Sequence, residues 1–417
     1  MLKILKDSSQ IVTVSTNGTN VKKGKEQNQL NVLTDHSIVI ENNIIKDIIP
    51  SGSIKNNSIY EVISLKEKTI FPGFIECHTH TVYAGSRANE FRLRLQGATY
   101  EEIANSGGGI KSTVNAVRNS STNDLVNLSA PRVRSFISQG VTSLEIKSGY
   151  GLDFENELKI LDVINHLSKL FPIDIIPTLL AAHTFPAEFK DDHEGYIGLL
   201  INKIIPEAAE KKLAAFCDVF CESTAFSAGE TDRILDAAVK VGLKIKIHTE
   251  QFNNIGGLET ALKYNAVSVE HLEMMKDNQM PILANSNSTA VLLPGVSYFL
   301  NYRYAPARKL IDNNVTVAIA TDFNPGSSHI NNISLIMSLA AINLKMSIEE
   351  VISAYTINAA SALNINDKTG SIEPGKKADF AVMDSPEYSD LVYCTGTNLN
   401  IMTIKDGKII FDKSENK

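Results

Sequence analysis

His78-Thr79-His80 closes an apolar run, Thr69-Ile-Phe-Pro-Gly-Phe-Ile-Glu76-Cys77. Side chains alternate along a β-strand, so two histidines separated by one residue project the same way and converge on one point. A first-row metal ion takes neutral imidazole nitrogens at about 2.0–2.1 Å, and such a pair meets half of its demand. On its own the pair says little. Further along the chain, however, other β-branched runs also end in a residue able to hold a metal or move a proton: His183, His248, His271 and Asp322. Five of the nine histidines therefore sit at strand ends, a concentration that a random scatter would not produce. By contrast His36, His166 and His193 read as solvated or locally capping, and His329 lies outside any strand-like run. A metal held in this way lowers the pKa of water from ~15.7 toward about 7, so that hydroxide able to attack a carbonyl carbon is available at neutral pH.

The elements that must position these residues follow from periodicity. Short β-branched runs occur at 69–76, 141–146, 173–182, 216–222, 243–247, 266–270, 290–293 and 315–321, separated by stretches with helical spacing such as 124–139, 155–169, 231–241 and 257–264. Eight strands, each followed by a crossover and with no Gly-rich phosphate loop after the first, predict an α/β fold: a closed (β/α)8 TIM barrel whose catalytic groups line the carboxyl ends of its strands. The flanks differ, with hairpin-like runs turning at Asn42-Asn43 and Asp406-Gly407. Residues 66–375 are expected to form the barrel. Residues 1–65 and 376–417 are expected to pair as a small discontinuous β-sandwich domain.

Composition sets limits on function. The 417 residues are 43% apolar and 21% charged, with a net charge of -7 and no basic run, which argues against a nucleic-acid or anionic-membrane partner. The start, Met1-Leu-Lys-Ile-Leu-Lys, does not resemble a signal peptide, and no uncharged run reaches the ~18 residues of a membrane span. A cytoplasmic protein is expected. Cys77, Cys217, Cys221 and Cys394 are too few and scattered for a disulfide framework and read as free thiols.

The pattern of His-x-His on strand one, His on strands five and six and Asp on strand eight resembles that of the amidohydrolase superfamily, as does Thr369-Gly-Ser-Ile-Glu-Pro-Gly-Lys-Lys-Ala-Asp379-Phe near the end. Glu90-Phe-Arg-Leu-Arg-Leu-Gln-Gly97, Ser106-Gly-Gly-Gly-Ile-Lys-Ser-Thr113, Glu145-Ile-Lys-Ser-Gly-Tyr-Gly-Leu152, Ala182-His-Thr-Phe-Pro186 and Asp322-Phe-Asn-Pro-Gly-Ser327 narrow the resemblance to the imidazolonepropionase family. That resemblance implies hydrolysis of the cyclic amide C–N bond of 4-imidazolone-5-propanoate to N-formimidoyl-L-glutamate, the third step of L-histidine degradation. It implies a homodimer, and a mononuclear site of one Zn²⁺ or Fe³⁺ per subunit held by His78, His80, His248 and Asp322; the ligand types do not separate the two metals. Binuclear relatives bridge two ions at the end of strand four, where this chain has Cys221-Glu222, so Glu222 is the candidate bridge and Lys147, on strand two, reads as structural or loop-anchoring.

The same resemblance places His271 to orient water or polarise the carbonyl, Asp322 to carry a proton to the leaving nitrogen, Gln251 against the imidazolone ring and Glu250 beside it on the rim. Arg87 matches the position that grips the propionate, a task suited to a planar guanidinium. Tyr100, Tyr150 and His183 match substrate contacts as hydroxyl and imidazole donors, and Asn324, Gly326 and Ser327 match contacts to the product. Gly107 to Gly109 reads as a mobile cover. A relative acting on a purine or triazine ring would keep the metal ligands and have no need of Arg87.

Overall fold

Eight short runs, too apolar to leave either face in water, pair side by side in chain order. The computed structural model of the chain describes residues 2–54, 60–97 and 108–415. Its parallel sheet runs Phe74–Glu76, Val141–Lys147, Asp174–Ala182, Phe216–Cys221, Lys244–Thr249, Ser268–His271, Thr289–Leu292 and Val317–Ile319, here the first to eighth strands. The sheet curls until its edges meet just beyond the first and eighth strands, where Thr79 forms a parallel bridge with Phe323 and the His80 amide donates to the Phe323 carbonyl at 2.9 Å. That bridge closes the sheet into a (β/α)8 barrel, although the first and eighth strands themselves share no ladder.

Helices Thr122–Ile137, Phe154–Leu170, Ala228–Lys240 and Gly257–Lys263 lie close to where spacing placed them. Three begin at a side-chain cap, with Ser121, Asp153 and Ser227 accepting the backbone N–H three residues on, which satisfies one of the donors a helix start leaves open. Their apolar faces, including Val133, Leu161, Ile164 and Leu235, join Leu144, Ile146, Val219 and Ile247 of the strands in one core.

The run 69–76 is two strands where the sequence suggested one. Thr69–Pro72 pairs antiparallel with Phe380–Met383 and parallel with Gln10–Val12, outside the barrel, whereas Phe74–Glu76 pairs with the second barrel strand. The break falls at Gly73, whose amide donates to Asp379 O and where a Cβ would collide with Thr142. The close approach of the second strand allows only glycine there.

Both chain ends supply the remaining sheets. One has four strands, in the order Ile44–Pro50, His36–Glu41, Leu2–Lys6 and Tyr60–Ser64. The other has six: Lys408–Asp412, Asn400–Lys405, Phe380–Met383, Thr69–Pro72, Gln10–Val12 and Val32–Leu33. They share a core that includes Leu5, Ile38, Ile40, Ile70, Phe380 and Ile404. The hairpins turn on Asn42-Asn43 and Asp406-Gly407, each pair with positive φ, the geometry that matches the twist of the flanking strands. No helix among the described residues is long and apolar enough to cross a membrane.

Candidate active site

The first strand stops at Glu76, and Thr79 is then pinned to Phe323, so His78 and His80 flank a fixed point with ring centroids 5.5 Å apart. His248, near the end of the fifth strand, brings its ring to 4.5 Å from that of His78. One nitrogen from each of the three imidazoles lies within 4.8 Å of the others. Asp322 completes the group, its Oδ1 being 3.3 Å from His78 Nε2 and 3.4 Å from His80 Nε2. All four side chains are buried, and His78 Nε2, His248 Nε2 and Asp322 Oδ1 have no hydrogen-bond partner among the described residues. Burying polar atoms unpaired is costly, and atoms of this kind converging on one point fit a cation with nitrogen and oxygen ligands. The set could hold one metal ion.

The rim backbone is strained to place these groups. Glu250, His271, Leu272 and Asp322 all have φ between 47° and 81°, a region that costs a non-glycine residue about 1–3 kcal/mol and persists only where surrounding packing imposes it.

Beneath the cluster the barrel holds charges that sequence reading did not assemble. Lys147 and Lys246 are fully buried with Glu145, Asp218 and Glu270. Lys147 Nζ lies 2.7 Å from Asp218, 2.9 Å from Glu270 and 3.2 Å from Glu145; Lys246 Nζ lies 2.8 Å from Glu145 and 3.0 Å from Glu270. Burial opposes the charge on Lys147, but Asp218, Glu145 and Glu270 outweigh it and hold the ammonium protonated. Lys147 is thus structural, inside the barrel and not on a loop. The carboxylates reach the histidines in turn, with Glu270 2.7 Å from His78 Nδ1 and Asp218 3.0 Å from His248 Nδ1. Anchoring Nδ1 fixes the ring and leaves Nε2 to face the cation.

Burial pulls His78 down, yet Glu270 outweighs it and lifts the group to about 9, a pull that equally favours a metal on the same ring. Burial wins at His248 and His80, both lowered to about 4 and therefore neutral. At Asp322 burial is again overcome, by His78 and His80, and the carboxyl is held well below its usual range. Glu76 ties the two rims together by accepting the amides of His78 and Thr321. A sequence signal for the network exists: Glu145/Lys147 and Lys246/His248 put ionisable groups at two-residue spacing on otherwise apolar strands.

His183 and Tyr150 join the cluster, with the His183 ring stacked 5.3 Å from His80 and the Tyr150 ring 5.8 Å from it. His183 Nδ1 is 3.0 Å from the Gly149 carbonyl and burial lowers the group to about 4. With its proton on Nδ1, its Nε2 is an acceptor and not the donor that was expected. Arg87 is held by Glu90 at 2.8 Å and packs against Gly326, where a Cβ would collide with the guanidinium. Asn324 reaches the rim, but its side chain is spent on the turn: its Oδ1 accepts from the amides of Gly326 and Ser327, and its Nδ2 donates to Ser327 Oγ. Gln251 lies beside the Tyr302 phenol. Glu250 faces away, accepting from Gln279 at 3.0 Å, and burial raises it to about 7. Glu222 accepts the amides of Ser223, Phe252 and Asn253, so its carboxylate braces the loop after the fifth strand. Tyr100 and Gly107 lie outside the described residues. His36 and His193 sit apart, against Thr34 O and Glu230.

A closed parallel barrel with imidazoles and a carboxylate gathered at its carboxyl rim defines a hydrolase class, and comparison with known proteins agrees. The amidohydrolase family profile matches residues 69–410. The chain is 42% identical to an imidazolonepropionase of Clostridium tetani, covering 99% of this chain and 98% of that one, and 44% identical to one of Alkaliphilus oremlandii over 98% of each. It belongs to the amidohydrolase family and, within it, to the imidazolonepropionases. Among solved structures, a triazine hydrolase variant superposes with a TM-score of 0.79 at 14% identity over 99% of this chain and 95% of that one. An adenosine deaminase from Xanthomonas campestris with bound zinc gives 0.72 at 17% identity over 99% and 93%. At such identities these two show the fold.

Proposed function

We propose that the chain hydrolyses the ring amide of 4-imidazolone-5-propanoate to N-formimidoyl-L-glutamate, with one Zn²⁺ or Fe³⁺ held by His78, His80, His248 and Asp322. The observation that carries this reading beyond its class is Arg87. Its guanidinium is fixed by Glu90 and pressed against Gly326, and it lines a cavity of about 530 Å³ together with Arg94, Arg132 and His329. A cavity lined by these cations, with Arg87 near enough for its charge to act on the Tyr150 phenol, suits a substrate with a carboxylate tail, and a neutral purine or triazine has no use for it.

The ion, when bound, supplies Lewis acidity and a nucleophilic water at neutral pH. Asp322 takes the proton of the attacking water and passes it to the departing ring nitrogen, as oxygen joins the carbonyl carbon and the C–N bond breaks. His271, whose Nδ1 is buried and without a partner among the described residues, orients the water or polarises the carbonyl. Tyr150, whose phenol burial keeps protonated, donates to the substrate, and His183 accepts through Nε2. Gln251 lies against the ring. Asn324 shapes the loop that presents Gly326 and Ser327 to the product. The reading includes a cytoplasmic homodimer; light scattering on the purified protein would check the dimer, and cell fractionation the location.

Incubation of the metal-loaded protein with freshly generated imidazolone propionate, following loss of its ultraviolet absorbance, tests the proposal. Turnover supports it. No turnover, or faster turnover of a neutral purine or triazine, overturns it.

A further inference from the structure

Glu273 and Tyr302 have no part in the chemistry above, yet they border it. Glu273 lies two residues past His271, is 4% exposed, and its Oε2 is buried with no hydrogen-bond partner among the described residues. Its Oε1 is 3.6 Å from His271 Nδ1, too far for a hydrogen bond. No lysine or arginine among the described residues pairs with it. The Tyr302 hydroxyl lies between Glu273 and Gln251, within reach of the field of Asp322, and is likewise buried without a partner of normal geometry. Burial first, and then the charge of Glu273, push its titration upward, so it stays a neutral phenol. A buried carboxylate oxygen without a donor is costly, and a ligand that brings N–H groups or positive charge supplies what Glu273 Oε2 lacks.

We propose that Glu273 recognises the N–C–N edge of the substrate ring, accepting its N–H and then holding the formimidoyl group that ring opening creates. This rests on the function proposed above. In the ring, one nitrogen belongs to an amide and is weakly basic. Once water has added its oxygen to the carbonyl carbon and the C–N bond has broken, that nitrogen, having taken up a proton, becomes part of an amidine, which is strongly basic and is protonated in neutral water. An amidinium presents two parallel N–H groups, the arrangement that a carboxylate accepts bidentately. The site thereby acquires opposite poles, with Arg87 for the carboxylate tail and Glu273 for the cationic end. Tyr302 flanks the second pole.

The test compares two competitive inhibitors of the metal-loaded enzyme: N-formimidoyl-L-glutamate, and N-formyl-L-glutamate, in which a neutral carbonyl replaces the amidine. The wild type is expected to prefer the first by about tenfold or more. Glu273→Gln should abolish that preference while leaving affinity for the formyl compound and bound metal unchanged. A preference that survives in Glu273→Gln overturns the proposal, as does equal loss of both ligands together with metal, which would make Glu273 a support for the site. Should the variant not fold, equal affinity of the wild type for the two ligands overturns it. Failure of the wild type to turn over imidazolone propionate at all would instead sink the function on which it rests.

Discussion

Replacing Glu270 by Gln keeps the shape of the side chain and removes the charge that faces His78. In the wild type the Glu270 carboxylate meets His78 Nδ1 at 2.7 Å, Lys147 at 2.9 Å and Lys246 at 3.0 Å, and accepts Ser268 Oγ at 2.7 Å. All four partners are donors, and an amide can turn only one oxygen to them. Its NH₂ must then point at a lysine or at the imidazole N–H. Lys147 still has Asp218 and Glu145, and Lys246 still has Glu145, so neither ammonium is orphaned. The loss falls on His78. Removing such a partner costs tenfold to hundredfold in metal affinity, or about 1.4–2.8 kcal/mol. The mismatched donors should lower the stability of the metal-free protein by about 3 kcal/mol, near the lower end of what breaking a buried ion pair costs. Competition against a chromophoric chelator reads the first quantity, and unfolding of the metal-free protein reads the second. A folded Glu270→Gln variant with the metal affinity of the wild type would refute the reasoning, because His78 would then either not bind the ion or not depend on Glu270 for its orientation.

His248→Ala should lose both bound metal and activity, whereas His36→Ala, whose ring meets Thr34 O on the far sheet, should keep both; elemental analysis beside a rate assay checks this. Arg87→Lys retains the charge but not the planar two-donor grip, and kcat/KM on imidazolone propionate should fall about tenfold to hundredfold with metal content unmoved. His271→Asn should keep near-stoichiometric metal while kcat drops by about 10²-fold or more, and loss of metal in step with activity would make His271 a ligand instead.

Much of the architecture is written locally. The eight β-branched runs, the helices between them and the turns at Asn42-Asn43 and Asp406-Gly407 depend on residues near one another in the chain, and all appear close to where periodicity and turn chemistry put them. Barrel active sites collect at strand ends, so the histidines and Asp322 that end those runs could be nominated without coordinates, and the closed barrel brings them together. Other features depend on closure itself. That Glu145, Lys147, Asp218, Lys246 and Glu270 form one buried ionic cluster follows from the stagger of four different strands, which no local pattern contains. The break at Gly73 needed a partner strand from the far end of the chain. The turning of Glu222 onto loop amides and of Glu250 onto Gln279, and the meeting of Glu273 with Tyr302, were likewise decided by which loops pack together. Residue type and spacing determine what a side chain can do, but only the packed barrel determines which other side chains it meets.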